Sequence, residues 1–227
     1  MAVILAVETT TRLCSVALGR DGQLLAQREE TSERLTHAER INVFAQEVLA
    51  EAGMVLAQVD GFAVGTGPGS YTGSRIGVSA AKGWAFALDR PIMGITTLST
   101  LVQAVKEFDL PGLGATLWPM IDARRMEVFT QEFDGQGTAV GAMLPVVLDL
   151  AWAEQGVKVV FGDGADKAVE LWRQVEKHIT HLPGVIPSAR YMLPLAEQRH
   201  KAEEFDDLAY LVPAYGKAAN VSPPRTR

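Results

Sequence analysis

The stretch from Gly65 to Gly77, which reads GTGPGSYTGSRIG, constrains the fold of this chain more than any other. It follows an apolar, strand-like run at 62–64 and enters a helix-like run that ends near Leu88. Four glycines and one proline in its first nine residues let the loop approach another backbone closely. Because a helix start leaves backbone N–H groups unpaired beside a positive dipole end, such a loop favours an anion.

The spacing within this loop fits neither standard phosphate-binding motif. Counted from Gly67, the P-loop pattern requires glycine, lysine and then serine or threonine at positions 72 to 74, where the chain reads Thr-Gly-Ser. The dinucleotide-binding pattern requires a glycine at position 72 and fails as well. The loop, with Gly67, Gly69 and Ser70, therefore has the form of a nucleotide-enzyme loop that has been altered.

The composition is that of an ordinary globular protein. The 227 residues suffice for one large domain or for two lobes. A formal net charge of −6 argues against a large nucleic-acid footprint, which needs a basic face. The single cysteine, Cys14, excludes an internal disulfide framework and fits a reducing compartment. No apolar stretch reaches the ~20 residues of a membrane span, so we expect a cytoplasmic protein that contacts no membrane.

The order of predicted elements repeats along the chain. An opening meander of three short strands is followed by a helix, a strand and the glycine loop. After a proline- and glycine-rich break at 109–114, the pattern of strand, polar turn and strand returns. Glu8 and Asp122 hold equivalent places at the ends of the two first strands. The sequence therefore predicts two related lobes, at 1–108 and 109–221, of which the second is reduced. A disordered tail is expected at 222–227.

Four residues match fragments of catalytic or metal-binding motifs whose remaining parts are missing. Ser79 and Lys82 fit the S-x-x-K element of serine acyl-transfer enzymes, but the S-D-N and K-T-G elements are absent. His178 and His181 could share one helix face, yet no carboxylate helper and no clustered cysteines accompany them. We therefore assign no catalytic residue and no metal site.

The helix that follows the glycine loop is rich in small residues, among them Gly73, Gly77 and Ala80. Each helical glycine costs roughly 1 kcal/mol relative to alanine, so a compensating gain is expected. Close approach of another backbone is such a gain. The pattern leaves open whether that backbone belongs to a partner or to the chain's own sheet.

Three segments of the chain are long enough to compare with known families: ILAVETTTRLCSVAL, GTGPGSYTGSRIGVSAAKG and PMIDARRMEVF. In this order, over roughly Val3 to Phe133, they resemble the TsaB family, also called YeaZ. That family belongs to the actin-like ATPase, Hsp70 and sugar-kinase class, an α/β fold of two lobes with a ribonuclease-H-like core. The repeated hairpin found above agrees with this implied fold.

The resemblance implies a role in forming N6-threonylcarbamoyladenosine at position 37 of tRNAs that read codons starting with A. In this family's pathway the catalytic paralogue TsaD transfers the threonylcarbamoyl group to tRNA, and TsaE supplies ATPase activity. The chain is thereby implied to be a non-catalytic partner that binds and supports a TsaD-like subunit. ATP and metal are expected on the partner subunits and none in this chain, and tRNA is contacted only indirectly or weakly.

The resemblance also implies the surface of association. The chain would pair with TsaD, or with itself as a homodimer, through two helices at about Leu35–Ala52 and Tyr71–Leu88. The apolar residues of these helices could be divided between core and interface. The implied interface residues are Ile41, Phe44, Val48, Tyr71, Gly73, Ile76, Gly77, Ala80 and Trp84.

Working members of the fold hold metal and phosphate with an aspartate-x-glycine turn after the first strand. Here the turn has Glu8 in place of aspartate and threonine near the place of glycine, so a phosphate cannot come as close. We expect degenerate nucleotide-site loops, formed by Glu8, Thr9, Thr10, Gly67, Gly69, Ser70, Asp122, Arg124 and Arg125. Asp122, Arg124 and Arg125 could instead form a charged turn without any role in a site. Two rival functions stay open, a small-molecule kinase or ATPase of the same fold and a peptidase-like protein.

Overall fold

The computed structural model describes residues 2–32, 36–108, 115–214 and 216. Its first sheet has the strand order β3-β2-β1-β4-β5. Strands β1 to β3 form an antiparallel meander, and β4 and β5 extend it in parallel with β1. The strands are β1 (Val3–Glu8), β2 (Leu13–Arg20), β3 (Gln23–Thr31), β4 (Gly61–Gly67) and β5 (Ile92–Thr96).

The second sheet repeats this arrangement with shorter strands. Its order is β10-β9-β6-β7-β8, again an antiparallel meander with two strands added in parallel to the first. The strands are β6 (Thr116–Asp122), β7 (Glu127–Thr130), β8 (Leu144–Val147), β9 (Lys158–Phe161) and β10 (Ile179–Leu182). The identical topology confirms the predicted pair of related lobes.

The helices show why the second lobe is the smaller one. Between the strands of the first lobe lie helices of 15 and 18 residues, whereas each described helix between the strands of the second lobe has four. The helices are α1 (His37–Glu51), α2 (Tyr71–Leu88), α3 (Thr97–Ala104), α4 (Leu150–Ala153), α5 (Asp163–Asp166), α6 (Val169–Trp172) and α7 (Leu193–Lys201). The predicted start of α1 at Leu35 lies outside the described residues.

Both faces of the first sheet are buried at its central strand, because every residue of β1 is shielded from solvent. On one face α1 and α2 pack against residues such as Leu5, Val16 and Phe62. Each such apolar side chain contributes ~1.5–3 kcal/mol when fully buried. A sheet that is apolar on two faces needs a second covering layer.

That second layer comes from the far end of the chain. A 3₁₀ turn at Ala189–Met192 and the start of α7 pack against Ile4, Ala17 and Met93 of the first sheet. Conversely, α3 follows the last strand of the first sheet but buries Leu98 and Leu101 against the second sheet.

Packing in the molecule therefore differs from the division predicted from the sequence. The segment from Ala189 onward, assigned above to the range 109–221, completes the first lobe, and α3, assigned to 1–108, belongs to the core of the second. The expected break at 109–114 and the expected tail at 222–227 lie outside the described residues. Within the described ranges, no helix has the length and apolarity needed to span a bilayer.

Candidate functional site

The turn after β1 is closed by the chain's own carboxylate. Glu8 is fully buried, and its Oε1 accepts a hydrogen bond from the backbone N–H of Thr10 at 2.7 Å. Burial raises the pKa of Glu8 to about 7, and hydrogen bonds from Thr10 and Thr9 offset only part of this effect. A Cβ atom at Gly65 would lie 2.4 Å from Oε2, so only glycine fits beside this carboxyl group.

The glycine loop sits directly on this turn. The N–H of Ser70 donates to the carbonyl oxygen of Thr10 at 2.6 Å, and a Cβ at Gly69 would lie 2.1 Å from the same oxygen. Ser70 is the N-cap of α2, and its Oγ accepts the N–H of Gly73 at 3.1 Å. Two of the backbone donors that could hold an anion at the helix start, those of Ser70 and Gly73, are therefore bonded within the chain.

Gly73 and Gly77 face the first turn rather than a partner. A Cβ at Gly73 would lie 2.0 Å from the Thr9 carbonyl oxygen, and one at Gly77 would lie 2.4 Å from Thr9 Oγ1. Thr9 Oγ1 also donates to the Gly73 carbonyl at 2.7 Å. The atoms that approach these glycines, the Thr9 carbonyl at Gly73 and the Thr9 side chain at Gly77, thus belong to the chain itself, which corrects the assignment of both glycines to the interface.

The turn after β6 mirrors the turn after β1. Asp122 Oδ1 accepts the N–H of Arg124 at 2.8 Å, as Glu8 does from Thr10. Arg124 and Arg125 adopt positive φ angles of 73° and 52°, which close the turn tightly. Unlike Glu8, the Asp122 side chain is 44% exposed and pairs with Lys167.

Asp163 is a site residue that the sequence reasoning missed. Its Oδ1 accepts the N–H of Asp122 at 2.9 Å, and burial raises the pKa of its carboxyl group. The sequence does contain a pattern that could have identified Asp163, because Gly162 and Gly164 follow β9 as the glycine loop follows β4. A Cβ at Gly162 would lie 2.4 Å from the Met120 carbonyl, which repeats the close packing of the first lobe.

The two turns face each other across a cleft of about 800 Å³ between the lobes. Of the predicted loop residues, Thr10, Gly69, Ser70, Asp122 and Arg124 line it. Glu8 and Thr9 lie buried beneath its wall, and Gly67 and Arg125 are not part of the lining. Residues that the prediction did not include are Thr11, Arg12, Tyr71, Thr72, Ile121, Ala123, Phe129 and Asp163.

A second concave surface, of about 440 Å³, lies between α1 and α2 on the outside of the first lobe. Tyr71 is 56% exposed at its edge, with the guanidinium of Arg75 stacked 4.0 Å from the centre of its ring. Ile76 and Ala80, two of the predicted interface residues, line the groove together with Ala38, Asn42, Thr72 and Ser79, which were not among them.

Three predicted interface residues belong to the core. Ile41, Phe44 and Val48 are at most 3% exposed and pack on the first sheet. These residues lie on the side of α1 that faces the sheet, as their helical spacing predicts. Of the three, Ile41 alone also lines the groove. Trp84 is half-buried and lines an adjoining apolar pocket, and the centre of its ring lies 5.9 Å from that of Phe62 with the two rings tilted by 40°.

Comparison with known proteins identifies the family. The family model described as "TsaD: tRNA N6-adenosine threonylcarbamoyltransferase" matches residues 28–170. The protein from Escherichia coli (strain K12) named tRNA threonylcarbamoyladenosine biosynthesis protein TsaB is 32% identical over 204 residues, which cover 86% of each chain. The chain belongs to the TsaB family.

Solved structures agree with this TsaB-family membership. YeaZ from Pseudomonas aeruginosa superposes with a TM-score of 0.75 at 30% identity, covering 95% of this chain and all of the other. A Clostridium difficile activator of 2-hydroxyisocaproyl-CoA dehydratase, solved with bound ADPNP, has a TM-score of 0.50 at 10% identity and covers 90% of this chain and 98% of that one. This second likeness concerns the fold alone, and the fold is the predicted actin-like ATPase fold.

Two side chains from the incomplete catalytic and metal-binding motifs, those of Lys82 and His181, contact other residues of this TsaB-family chain. The Nζ of Lys82 donates to the carbonyl oxygens of Ala209 and Leu211 at 3.0 and 3.1 Å, so it anchors the C-terminal segment. His181 Nε2 lies 2.8 Å from Asp166 Oδ1. In the part of the chain that the structure describes, no three histidine, cysteine or acidic side chains are grouped as metal ligands.

Proposed function

We propose that this chain acts in tRNA threonylcarbamoyladenosine biosynthesis as a non-catalytic subunit that binds and supports a TsaD-like transferase. The observation that carries the proposal is the start of α2, where the N–H of Ser70 is bonded to the Thr10 carbonyl oxygen and the N–H of Gly73 to the Ser70 side chain. A nucleotide phosphate held at this helix would need such donors free. Membership of the TsaB family supports the pathway.

The outward face of α2 supports a role in association. Five residues spaced three or four apart are all exposed: Thr72, Arg75, Ser79, Gly83 and Phe86. Phe86 is 79% exposed, and a Cβ at Gly83 would meet nothing within 4 Å. Such a face, beside the groove between α1 and α2, offers an aromatic anchor and room for another backbone.

The same proposal covers the other partners. The face of α1 and α2 would bind a TsaD-like subunit, or a second copy of the chain when that subunit is absent. ATP and metal would be held by the TsaD-like subunit and by a TsaE-like ATPase. The net charge of −6 favours an indirect or weak contact with tRNA.

A reconstitution tests this function. The purified chain is combined with the TsaD-like and TsaE-like proteins, threonylcarbamoyl-adenylate and tRNA, and each component is omitted in turn. We expect modified tRNA only from the complete set and no steady ATP turnover by the chain alone. ATP turnover by the chain alone that disappears in Asp122→Asn would favour the rival kinase or ATPase and overturn the proposal.

A further inference from the structure

A strap formed by residues 206–214 lies along one flank of α2. The Nζ of Lys82 donates to the carbonyl oxygens of Ala209 and Leu211, at 3.0 and 3.1 Å. Because successive residues of an α-helix are about 100° apart around its axis, Lys82 lies about 200° from Ala80, which lines the groove toward α1. The exposed face of α2 therefore has α1 on one flank and the strap on the other.

The strap is fixed to the first lobe along its length. At its start, the N–H of Asp206 donates to the carbonyl oxygen of Ile92 at 2.9 Å, and at its end the N–H of Ala214 donates to that of Thr66 at 2.7 Å. Between these points, Leu211 packs against the core of the first lobe. A partner would therefore meet a surface that is already ordered, which lowers the entropic cost of binding.

Three apolar side chains of this region are open to solvent. Tyr210 is 81% exposed, Phe86 79% and Val212 63%, the highest values among the large apolar residues that the structure describes. Tyr210 stands between the two carbonyl groups that Lys82 holds, and Phe86 follows Lys82 by one helical turn on the same side of α2. Exposed aromatic and apolar side chains that lie together in this way are typical of a protein-binding surface.

The exposed part of the strap carries no charge. Residues 208–214 read LAYLVPA and contain no acidic or basic side chain, although 21% of the residues in the chain are charged. A surface that binds nucleic acid needs basic side chains, whereas the centre of a protein–protein interface is depleted of charge and enriched in aromatic residues. The strap therefore fits another protein rather than tRNA.

We propose that the strap forms part of the surface that binds a TsaD-like subunit, with Tyr210 as an anchor. The inference rests on the proposed function, in which that subunit docks on the exposed face of α2. Because the strap borders this face on the side of Lys82 and Phe86, a subunit that covers the face also reaches Tyr210 and Val212. Burial of these two side chains adds apolar contact area beyond that of the two helices.

Alanine variants of the strap test this proposal. Tyr210→Ala should weaken binding of the TsaD-like subunit at least ~10-fold, and Val212→Ala roughly 3- to 10-fold, as measured by calorimetric titration. Val147→Ala is the matched control, because Val147 is exposed to nearly the same extent as Val212 but lies on β8 of the second lobe. This control should leave the affinity unchanged. Equal losses in Val147→Ala and Val212→Ala would contradict a specific role of the strap.

Other outcomes separate this proposal from the proposed function. Normal binding by Tyr210→Ala together with weak binding by Gly83→Leu, which alters the exposed face of α2, would exclude the strap and leave the proposed function standing. No binding by the parent chain would overturn both. A loss in Tyr210→Ala that is confined to self-association, measured by sedimentation, would assign the strap to a homodimer and overturn the proposal as well.

Discussion

Glu8 closes the first turn with a carboxyl group that solvent does not reach. Its pKa in the folded chain is about 7, above the ordinary 4.5, because burial disfavours the charged form. The native state therefore binds this proton more tightly than the unfolded state. The stabilisation is complete below pH about 4.5 and is lost as the pH rises to about 7.

Replacing Glu8 with glutamine should remove this pH dependence, because the amide carries no titrating proton. A shift of this size corresponds to about 3 kcal/mol. Urea unfolding across the range should show the free energy of the parent chain falling relative to that of Glu8→Gln as the pH rises. Parallel curves for the two proteins would mean that Glu8 is not a buried titrating group.

Gly73 and Gly83 lie on the same helix but differ in surroundings. Gly73→Ala places a methyl group 2.0 Å from the Thr9 carbonyl oxygen, and overpacking of this kind costs ~1–3 kcal/mol. Gly83→Ala meets open space and should stabilise the chain by up to ~1 kcal/mol through helix propensity. Denaturant midpoints of the two variants should therefore move in opposite directions, and a shared direction would refute the assigned packing.

Helix α2 has one face in the core and one exposed face that we propose for association, and Gly83 lies on the exposed face. Gly83→Leu fits within the chain and should fold at least as stably as the parent. On a surface where another helix docks, the added side chain should weaken binding of a TsaD-like subunit roughly 10- to 100-fold, from ~1–3 kcal/mol of overpacking. Calorimetric titration measures this change.

Gly141→Leu is the matched control for Gly83→Leu. Gly141 lies in the second lobe, and a Cβ there also meets nothing within 4 Å. This variant should bind the TsaD-like subunit as the parent does. Normal binding by Gly83→Leu would remove the outward face of α2 from the proposed interface.

At the scale of the whole molecule, each lobe is completed by a segment that lies in the sequence range of the other. The fragment 1–108 lacks Ala189, Met192, Leu193 and Ala196, which bury one face of its sheet. We expect it to show no cooperative thermal transition and to bind a hydrophobic dye. Joining residues 186–214 to it through a flexible linker should restore a transition, and a fragment that melts cooperatively without them would contradict this dependence.

The sequence alone determined the fold class and the pairing of equivalent turns. Glu8 and Asp122 stand at matching places because strand, turn and strand recur, and local alternation and turn residues carry that signal over short distances. The long glycine-rich segment, with two others, also indicated the family.

Only the tertiary structure decided which surface each residue serves. Helical spacing placed Ile41, Phe44 and Val48 on one stripe but could not say whether sheet or partner covers it. The glycines at 73 and 77 indicated a close approach, and only the packing shows that Thr9 makes it, with its carbonyl at Gly73 and its side chain at Gly77. The crossing of α3 and α7 between lobes rests on clusters of residues that are distant in the sequence, such as the one that contains Met93 and Met192. Local sequence patterns do not encode such distant contacts, because they depend on how whole layers cover one another.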